Sequence, residues 1–342
     1  MRGPAVKPMV IAAGGTGGHV FPAEALAAEL IRRGRRVALI TDARMAEQPH
    51  SVFAGQERFV IAGAGIAGRG IVRAGRAALA LGLGVVQARG ILRRLDASVV
   101  VGFGGYPSVA PVLAARLAGA IPVVLHEQNA VLGRANRFLA PRARLLALSL
   151  PGTTRVPAGV TTEITGNPVR PAIAALAAQP YVAPDAAGKF RLLILGGSLG
   201  ARVFSTVVPE ALAGLPCPLR GRIEVVAQCR AEDLEAARAA YGRAGVTALL
   251  SPFFTDIPAR LAAAHLVIAR AGASTVAELA AAGRPAILVP LPGAIDGHQM
   301  GNAQSLAAAG AAEAVAQADF TAATLAERLT ALANAPGVLS AR

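Results

Sequence analysis

The sequence predicts a parallel α/β protein of two domains, and three observations carry that prediction. Its 342 residues are about twice the usual length of one domain. Short aliphatic runs alternate with Ala-rich helical segments, the pattern of a parallel sheet covered by helices. Both halves open alike, with an apolar strand running into a glycine loop and a helix: Gly14-Gly15-Thr16-Gly17-Gly18-His19 and Gly196-Gly197-Ser198-Leu199-Gly200-Ala201. A composition of 54% hydrophobic, 16% charged and 4% aromatic residues excludes disorder and coiled coil.

Taken in chain order, the strands expected in the first half are 8–12, 36–41, 98–101, 122–125 and 145–147. Those expected in the second are 192–195, 223–227, 266–269 and 286–289. The start, with Arg2 and Lys7 ahead of residues 9–13, has too short an apolar stretch for a signal peptide and reads as the first strand. A third glycine loop, Gly102-Phe103-Gly104-Gly105-Tyr106, follows the third strand. Between 166 and 188 the alternation breaks at Asn167, Pro168, Pro171, Pro180 and Pro184, which sets the boundary near Pro168 and gives domains 1–168 and 169–342. The apolar run closest to membrane length, 97–115, is cut by Gly-Gly-Tyr-Pro, so no transmembrane segment is expected.

Glycines at a strand-to-helix turn let a phosphate approach backbone N–H groups, and the helix N-terminus adds positive potential. The dinucleotide fingerprint fails, because Gly15-Thr16-Gly17 is followed by Gly18-His19-Val20; Asp42 after the second strand keeps an NAD reading open. No glycine loop ends in Lys followed by Ser or Thr, which excludes a P-loop. Arg270-Ala271-Gly272-Ala273-Ser274-Thr275 follows a strand and opens a helix. Thr275 and Glu278 have the spacing of a capping box; the alternative is that the loop amides face a diphosphate while the Glu278 carboxylate accepts from ribose hydroxyls. The polar runs His126-Glu127-Gln128-Asn129 and Asp296 to Ala303 lie beyond strand ends, where α/β ligands sit. His19 is the histidine inside a glycine loop, placed to take a proton from an attacking hydroxyl or else to bond local backbone. Cys217 and Cys229 have no zinc or disulfide spacing, and no metal cluster or cofactor is called for.

The net charge of +14 is one-sided. Residues 1–170 hold 21 Lys or Arg against 8 Asp or Glu, whereas the remainder holds 13 against 12. With no Trp, three Tyr and no stacking motif, nucleic acid is not the expected partner. Segment 66–95 alternates Arg69, Arg73, Arg76, Arg89 and Arg93 with apolar residues including Leu79 and Leu83, which suits an anionic membrane surface; the alternative is an ordinary amphipathic helix facing the core. Gly82 and Gly84 argue against one continuous helix there.

Together these motifs resemble the bacterial glycosyltransferase family called MurG. The matching stretches are GGTGGHVFPA from Gly14, GFGGYPS from Gly102, HEQN from His126, GNPVR from Gly166, GGSLGA from Gly196, Arg270 to Glu278 and His298 to Ala303. The resemblance implies a GT-B fold, two Rossmann-like parallel-sheet domains facing across a cleft. It implies UDP-N-acetylglucosamine (UDP-GlcNAc) as donor and undecaprenyl-pyrophosphoryl-N-acetylmuramyl-pentapeptide as acceptor, joined with inversion at the cytoplasmic face of the inner membrane, to which the protein binds peripherally.

Position by position, the resemblance puts Gly15, Thr16, Gly17 and Asn129 on the sugar and acceptor side, with Gly104, Gly105 and Tyr106 beside the acceptor. Arg170, Ser198 and the amides near Ala273, Ser274 and Thr275 hold diphosphate or uridine. Glu278 binds ribose, Gln299 the GlcNAc hydroxyls, and Phe254 lies near uracil. His19 is the expected general base, with Glu127 the alternative. Ser274-Thr275 departs from the family's small-Leu-Thr, and the chain stops at Leu339-Ser340-Ala341-Arg342 where the family continues through a further helical segment. The competing readings are another lipid glycosyltransferase, a UDP-sugar 2-epimerase of the same fold, and a nonenzymatic membrane scaffold.

Overall fold

The computed structural model describes residues 6–15, 17–43, 52–62, 71–185, 187–197 and 200–342, with the side chains of residues 17 and 71–74 left aside. It divides into two compact units, Met1–Arg170 and Pro171–Arg342. The first holds β1 (Met9–Ala12), α1 (Gly17–Arg32), β2 (Val37–Thr41), β3 (Glu57–Val60), α2 (Ile71–Leu95), β4 (Val99–Gly102), α3 (Val109–Leu117), β5 (Val123–Glu127), α4 (Arg134–Leu139), β6 (Leu145–Leu148) and β7 (Thr162–Ile164). Its sheet runs β3-β2-β1-β4-β5-β6-β7, parallel at every pairing.

The second unit begins with α5 (Pro171–Ala174) and continues through β8 (Phe190–Leu195), α6 (Arg202–Ala213), α7 (Cys217–Arg220), β9 (Ile223–Gln228), α8 (Leu234–Ala244) and β10 (Thr247–Ser251). It ends with α9 (Ile257–Ala263), β11 (Leu266–Ala269), α10 (Ala273–Ala282), β12 (Ala286–Leu288), α11 (His298–Ala308), β13 (Ala312–Ala314), α12 (Ala322–Asn334) and α13 (Pro336–Ala341). Its sheet runs β10-β9-β8-β11-β12-β13, again all parallel.

The central strands are continuous aliphatic runs because helices cover both faces of a parallel sheet. Val10, Ile11 and Ala12 of β1 are wholly buried, as is all of β11. In the first unit one face of the sheet packs Val10, Ile40, Leu92, Val112 and Leu125 together, and the other packs Ile11, Val20, Leu39, Phe53 and Phe103. In the second, the core joins Phe190, Phe204, Val208, Tyr241, Ile268 and Leu325 and takes in Leu339 of α13.

In both units the strand order reverses at the centre of the sheet, between β1 and β4 and between β8 and β11. At such a point adjacent connections leave toward opposite faces and open a crevice at the strands' carboxyl ends. The glycine loops after β1 and β4 flank the first crevice. The loop after β8 and the start of α10 flank the second.

Helix α2 is continuous across Gly82 and Gly84, contrary to expectation. Gly84 is required by packing, since a Cβ there would lie 2.3 Å from the Ala62 carbonyl oxygen. The missing side chain therefore admits the backbone that follows β3. Among the described residues no helix is long and apolar enough to cross a membrane.

Candidate active site

In the first unit the β5 strand delivers His126 and Glu127 to the carboxyl edge of the sheet, and Gln128 and Asn129 follow at its end. His126, Glu127 and Gln128 are all buried. His19, near the start of α1, places its Nδ1 2.9 Å from Gln128 Oε1. Gln128 Nε2 donates toward the carbonyl oxygens of Phe103 (3.1 Å) and His126 (3.0 Å) and toward His126 Nδ1 (3.0 Å). His126 Nε2 lies 3.0 Å from the Gly166 carbonyl. A connected polar chain thus runs from the start of α1 to the Gly166-Asn167-Pro168 turn.

The third glycine loop closes over this chain. Gly104 and Gly105 have φ of 79° and 67°, the left-handed region that glycine tolerates. A Cβ on Gly105 would sit 3.2 Å from His19 Cδ2 and 3.3 Å from Nε2, so a side chain there would press on that edge of the imidazole, whose Nε2 makes no hydrogen bond among the described residues. Ser108 Oγ lies 2.8 Å from both the Ala12 and Gly104 carbonyls, tying the β1 and β4 loops together. Burial pushes the Tyr106 phenol above its ordinary value.

Glu127 is not open to a substrate hydroxyl in the way a general base requires. Its Oε1 accepts from the Asn129 N–H and Nδ2, both at 3.0 Å. Its Oε2 accepts from the Gly133 N–H and from Asn136 Nδ2, both at 2.9 Å. Four donors from one loop and the start of α4 saturate the carboxylate, which anchors that loop and presents Asn129. Asn136, which also donates to the His126 carbonyl, was not visible as a site residue in the sequence, because it stands alone on a short helix ten residues past its partners.

Burial holds His126 below its usual value of 6.5, against the opposing pull of the Gly166 carbonyl and the Glu127 charge. The unfolded chain therefore takes up a proton near 6.5 while the folded chain resists until lower pH. The corresponding stability is present above 6.5 and is lost as pH falls through the folded value. Urea midpoints should drop between about pH 7.5 and 5.5, and the drop should shrink in His126→Gln. His265, also held low by burial, supplies part of what remains. An identical pH dependence in the two proteins would contradict the assignment.

In the second unit, Gly272 is the N-cap of α10 and no side chain caps it. Thr275 is then the third residue of the helix and Glu278 the sixth, so the capping-box reading of this pair is overturned. The first N–H groups of α10 therefore receive no side-chain cap from Gly272. Ser274 Oγ is buried and makes no hydrogen bond among the described residues. Arg270 is used structurally: its guanidinium donates to the Val289 and Pro290 carbonyls and to Gln317 Oε1, and lies over the Phe204 ring. Asn302 of α11 reaches back to the Ala271 carbonyl at 3.0 Å. Gln299 accepts from the Leu291 N–H at 2.9 Å, which leaves its amide nitrogen as the remaining donor.

Phe254 and Arg170 each meet a ring or cation partner. The Phe254 ring is buried with the Arg260 guanidinium 4.0 Å from its centre, whereas neighbouring Phe253 is 72% exposed and is the ring that solvent reaches. Arg170 sets its guanidinium 5.5 Å from the centre of the Phe21 ring on α1, two residues past His19. Gly15 and Gly17 lie at the β1–α1 turn and Ala273 opens α10, as the motifs required. Thr16, Ser198 and Arg69 lie outside the described residues, as does the Arg73 side chain. On α2, Leu79, Leu83 and Val86 are exposed at helical spacing, with exposed Arg76, Arg89 and Arg93 flanking them.

Comparison with known proteins agrees with this architecture. The model of the glycosyltransferase family 28 N-terminal domain matches residues 9–147, and that of the family 28 C-terminal domain matches residues 191–341. The UDP-N-acetylglucosamine–N-acetylmuramyl-(pentapeptide) pyrophosphoryl-undecaprenol N-acetylglucosamine transferase of Granulibacter bethesdensis is 62% identical over 99% of this chain and 88% of its own length. The protein of the same name from Acidiphilium cryptum is 56% identical over 100% of this chain and 92% of its own. The crystal structure of Acinetobacter baumannii MurG superposes with a TM-score of 0.77 at 33% identity, covering 98% of this chain and 92% of that one. Two Rossmann-like parallel sheets with these relatives make the fold GT-B, and the chain belongs to the MurG family of glycosyltransferase family 28.

Proposed function

We propose that this chain transfers GlcNAc from UDP-GlcNAc to the 4-hydroxyl of lipid-linked N-acetylmuramyl-pentapeptide, with inversion at the sugar's anomeric carbon, in peptidoglycan synthesis. The observation that carries the reading is the His19 imidazole at the first unit's switch point, held at Nδ1 by Gln128, with Nε2 beside Gly105 and without a hydrogen bond among the described residues. Names shared by relatives at 62% and 56% identity support the choice of donor and acceptor.

In this reading His19 Nε2 accepts the proton of the muramyl 4-hydroxyl as its oxygen attacks C1 of GlcNAc. The C1–O bond to UDP breaks on the opposite face, so no covalent enzyme intermediate forms. Gly15, Thr16, Gly17 and Asn129 line the reacting sugars, and Gly104, Gly105 and Tyr106 border the acceptor. The α10 amides of Ala273, Ser274 and Thr275, with Ser198 and Arg170, stabilise the charge on departing UDP. Glu278 accepts from the ribose hydroxyls, the Gln299 amide nitrogen donates to a GlcNAc hydroxyl, and the loop at Phe253 and Phe254 borders uracil. Glu127 acts by holding Asn129 in place.

The test is transfer of labelled GlcNAc to a short-chain lipid-linked muramyl-pentapeptide, beside an acceptor lacking the 4-hydroxyl. Label should enter only the first. Conversion of UDP-GlcNAc without acceptor would favour a 2-epimerase instead. Glu278→Ala should weaken UDP-GlcNAc binding by roughly 10- to 150-fold, the loss of a charge-assisted hydrogen bond worth about 1.5–3 kcal/mol. Unchanged affinity by calorimetry would remove the residue from the donor site.

The apolar stripe Leu79, Leu83 and Val86 on α2, rimmed by Arg76, Arg89 and Arg93, forms the face that meets an anionic membrane surface on the cytoplasmic side. Arg76→Glu with Arg93→Glu should weaken binding to vesicles containing anionic lipid, by about 1 kcal/mol or more per charge. Binding that ignores both changes would rule this face out.

A further inference from the structure

We propose that Gln128 is a positioning residue that fixes the tautomer of His19, keeping the proton on Nδ1 and the lone pair on Nε2. The inference rests on reading His19 as the base, and adds the group that makes Nε2 an acceptor.

One hydrogen-bond chain fixes the positions of the protons. The Gln128 amide end that faces the Phe103 and His126 carbonyl oxygens meets atoms that only accept. That end must therefore be the NH2, since the flipped amide would set its oxygen against two carbonyl oxygens inside a buried pocket. Its oxygen then points to His19 Nδ1 at 2.9 Å. An oxygen without a proton needs a donor opposite it, so His19 is protonated at Nδ1.

The far end of the chain agrees with this polarity. His126 Nδ1 accepts from the Gln128 NH2 while its Nε2 donates to the Gly166 carbonyl, which is the neutral form that burial favours. Every proton runs in one direction, from His19 toward Gln128 and from Gln128 and His126 toward carbonyl oxygens. The Gly166 carbonyl, the Phe103 carbonyl and the His126 backbone thus set which nitrogen of His19 is basic.

The consequence is chemical. A neutral histidine in water predominantly carries its proton on Nε2, the nitrogen that here lies beside Gly105 with no hydrogen bond among the described residues. In that form Nε2 would be a donor and could not take a hydroxyl proton. The Gln128 contact holds the other tautomer, so the base is ready before the acceptor arrives.

The test is a long-range proton–nitrogen correlation spectrum of the full chain labelled with 15N-histidine, at about pH 8.5 where histidine is neutral. Only five histidines contribute, and His19→Asn identifies the signal. The proposal expects a pyrrole-type Nδ1 and a pyridine-type Nε2 for His19. A pyrrole-type Nε2, or two averaged shifts, would overturn it on the wild-type protein alone, whether or not any variant folds. Gln128→Leu should shift His19 toward the Nε2–H form and lower kcat at least tenfold, with the KM for UDP-GlcNAc within twofold of wild type. A Gln128→Leu protein that folds and keeps the Nδ1–H form would also overturn it. Full turnover in His19→Ala, with the Nδ1–H spectrum intact in wild type, would instead sink the base reading and leave the tautomer assignment standing.

Discussion

His19→Ala is expected to lower turnover by about 10²–10⁴ while leaving affinity for UDP-GlcNAc within roughly twofold, the range for loss of a positioned proton acceptor. In barrier terms that is about 2.7–5.5 kcal/mol. The separation of kcat from donor binding follows from location. His19 belongs to the first unit, beside the glycine loop at Gly105 and the buried Gln128, whereas the residues proposed for ribose and GlcNAc belong to the second. Single-turnover transfer with saturating donor measures the chemical step directly. Loss confined to donor affinity would reassign His19 to binding. The same assay on Gly105→Ala should fall the same way, because its Cβ would lie 3.3 Å from Nε2 at a φ of 67°.

Glu127→Ala should cost stability through the loss of an acceptor for several buried donors, about 1–3 kcal/mol for each one left unsatisfied. Four donors converge on the two carboxylate oxygens. Deleting the carboxylate removes the acceptor that the Asn129 and Gly133 backbone amides share, while Asn136 keeps its bond to the His126 carbonyl. Urea unfolding followed by circular dichroism gives the number. Glu127→Gln separates anchoring from base chemistry, since it keeps the shape but presents an NH2 to groups that donate. The anchoring role expects lowered stability together with residual turnover in the folded protein. Full stability with turnover abolished would make Glu127 the base after all.

Much of the fold could be read in advance for a physical reason visible in the sheets. The nine strands expected from aliphatic runs correspond to β1, β2, β4, β5, β6, β8, β9, β11 and β12, which occupy the interior of the two sheets. The four that were not anticipated, β3, β7, β10 and β13, are the outer strand on each side of each sheet. An outer strand pairs on one side only and is less covered, so Glu57–Val60 and Thr162–Ile164 expose most of their residues and carry no apolar run. Continuity of α2 is hidden from helix propensity, which counts glycine only as a breaker, whereas Gly84 is fixed by the close approach of the Ala62 carbonyl.

The site was legible where chemistry is concentrated in a short motif. GGTGGH, GFGGYPS and HEQN lie at neighbouring strand ends because β1, β4 and β5 are adjacent in the sheet. What escaped were roles set by three-dimensional partners. Glu127 looks like an acid–base residue until its four donors are seen, and Thr275 with Glu278 matches a capping box until Gly272 proves to be the cap. Gln128 carried no functional label of its own, and its part emerges only from which atoms surround each end of its amide.

The most direct measurement on the central claim is the configuration of the linkage the protein makes. Product formed from UDP-α-GlcNAc and lipid-linked muramyl-pentapeptide would be isolated and its new anomeric proton coupling read by NMR. Direct attack assisted by His19 predicts a β-1,4 link with no sugar-bound enzyme detectable by intact-protein mass spectrometry. An α link, or a trapped glycosyl–enzyme adduct, would contradict single displacement and with it the role assigned to His19.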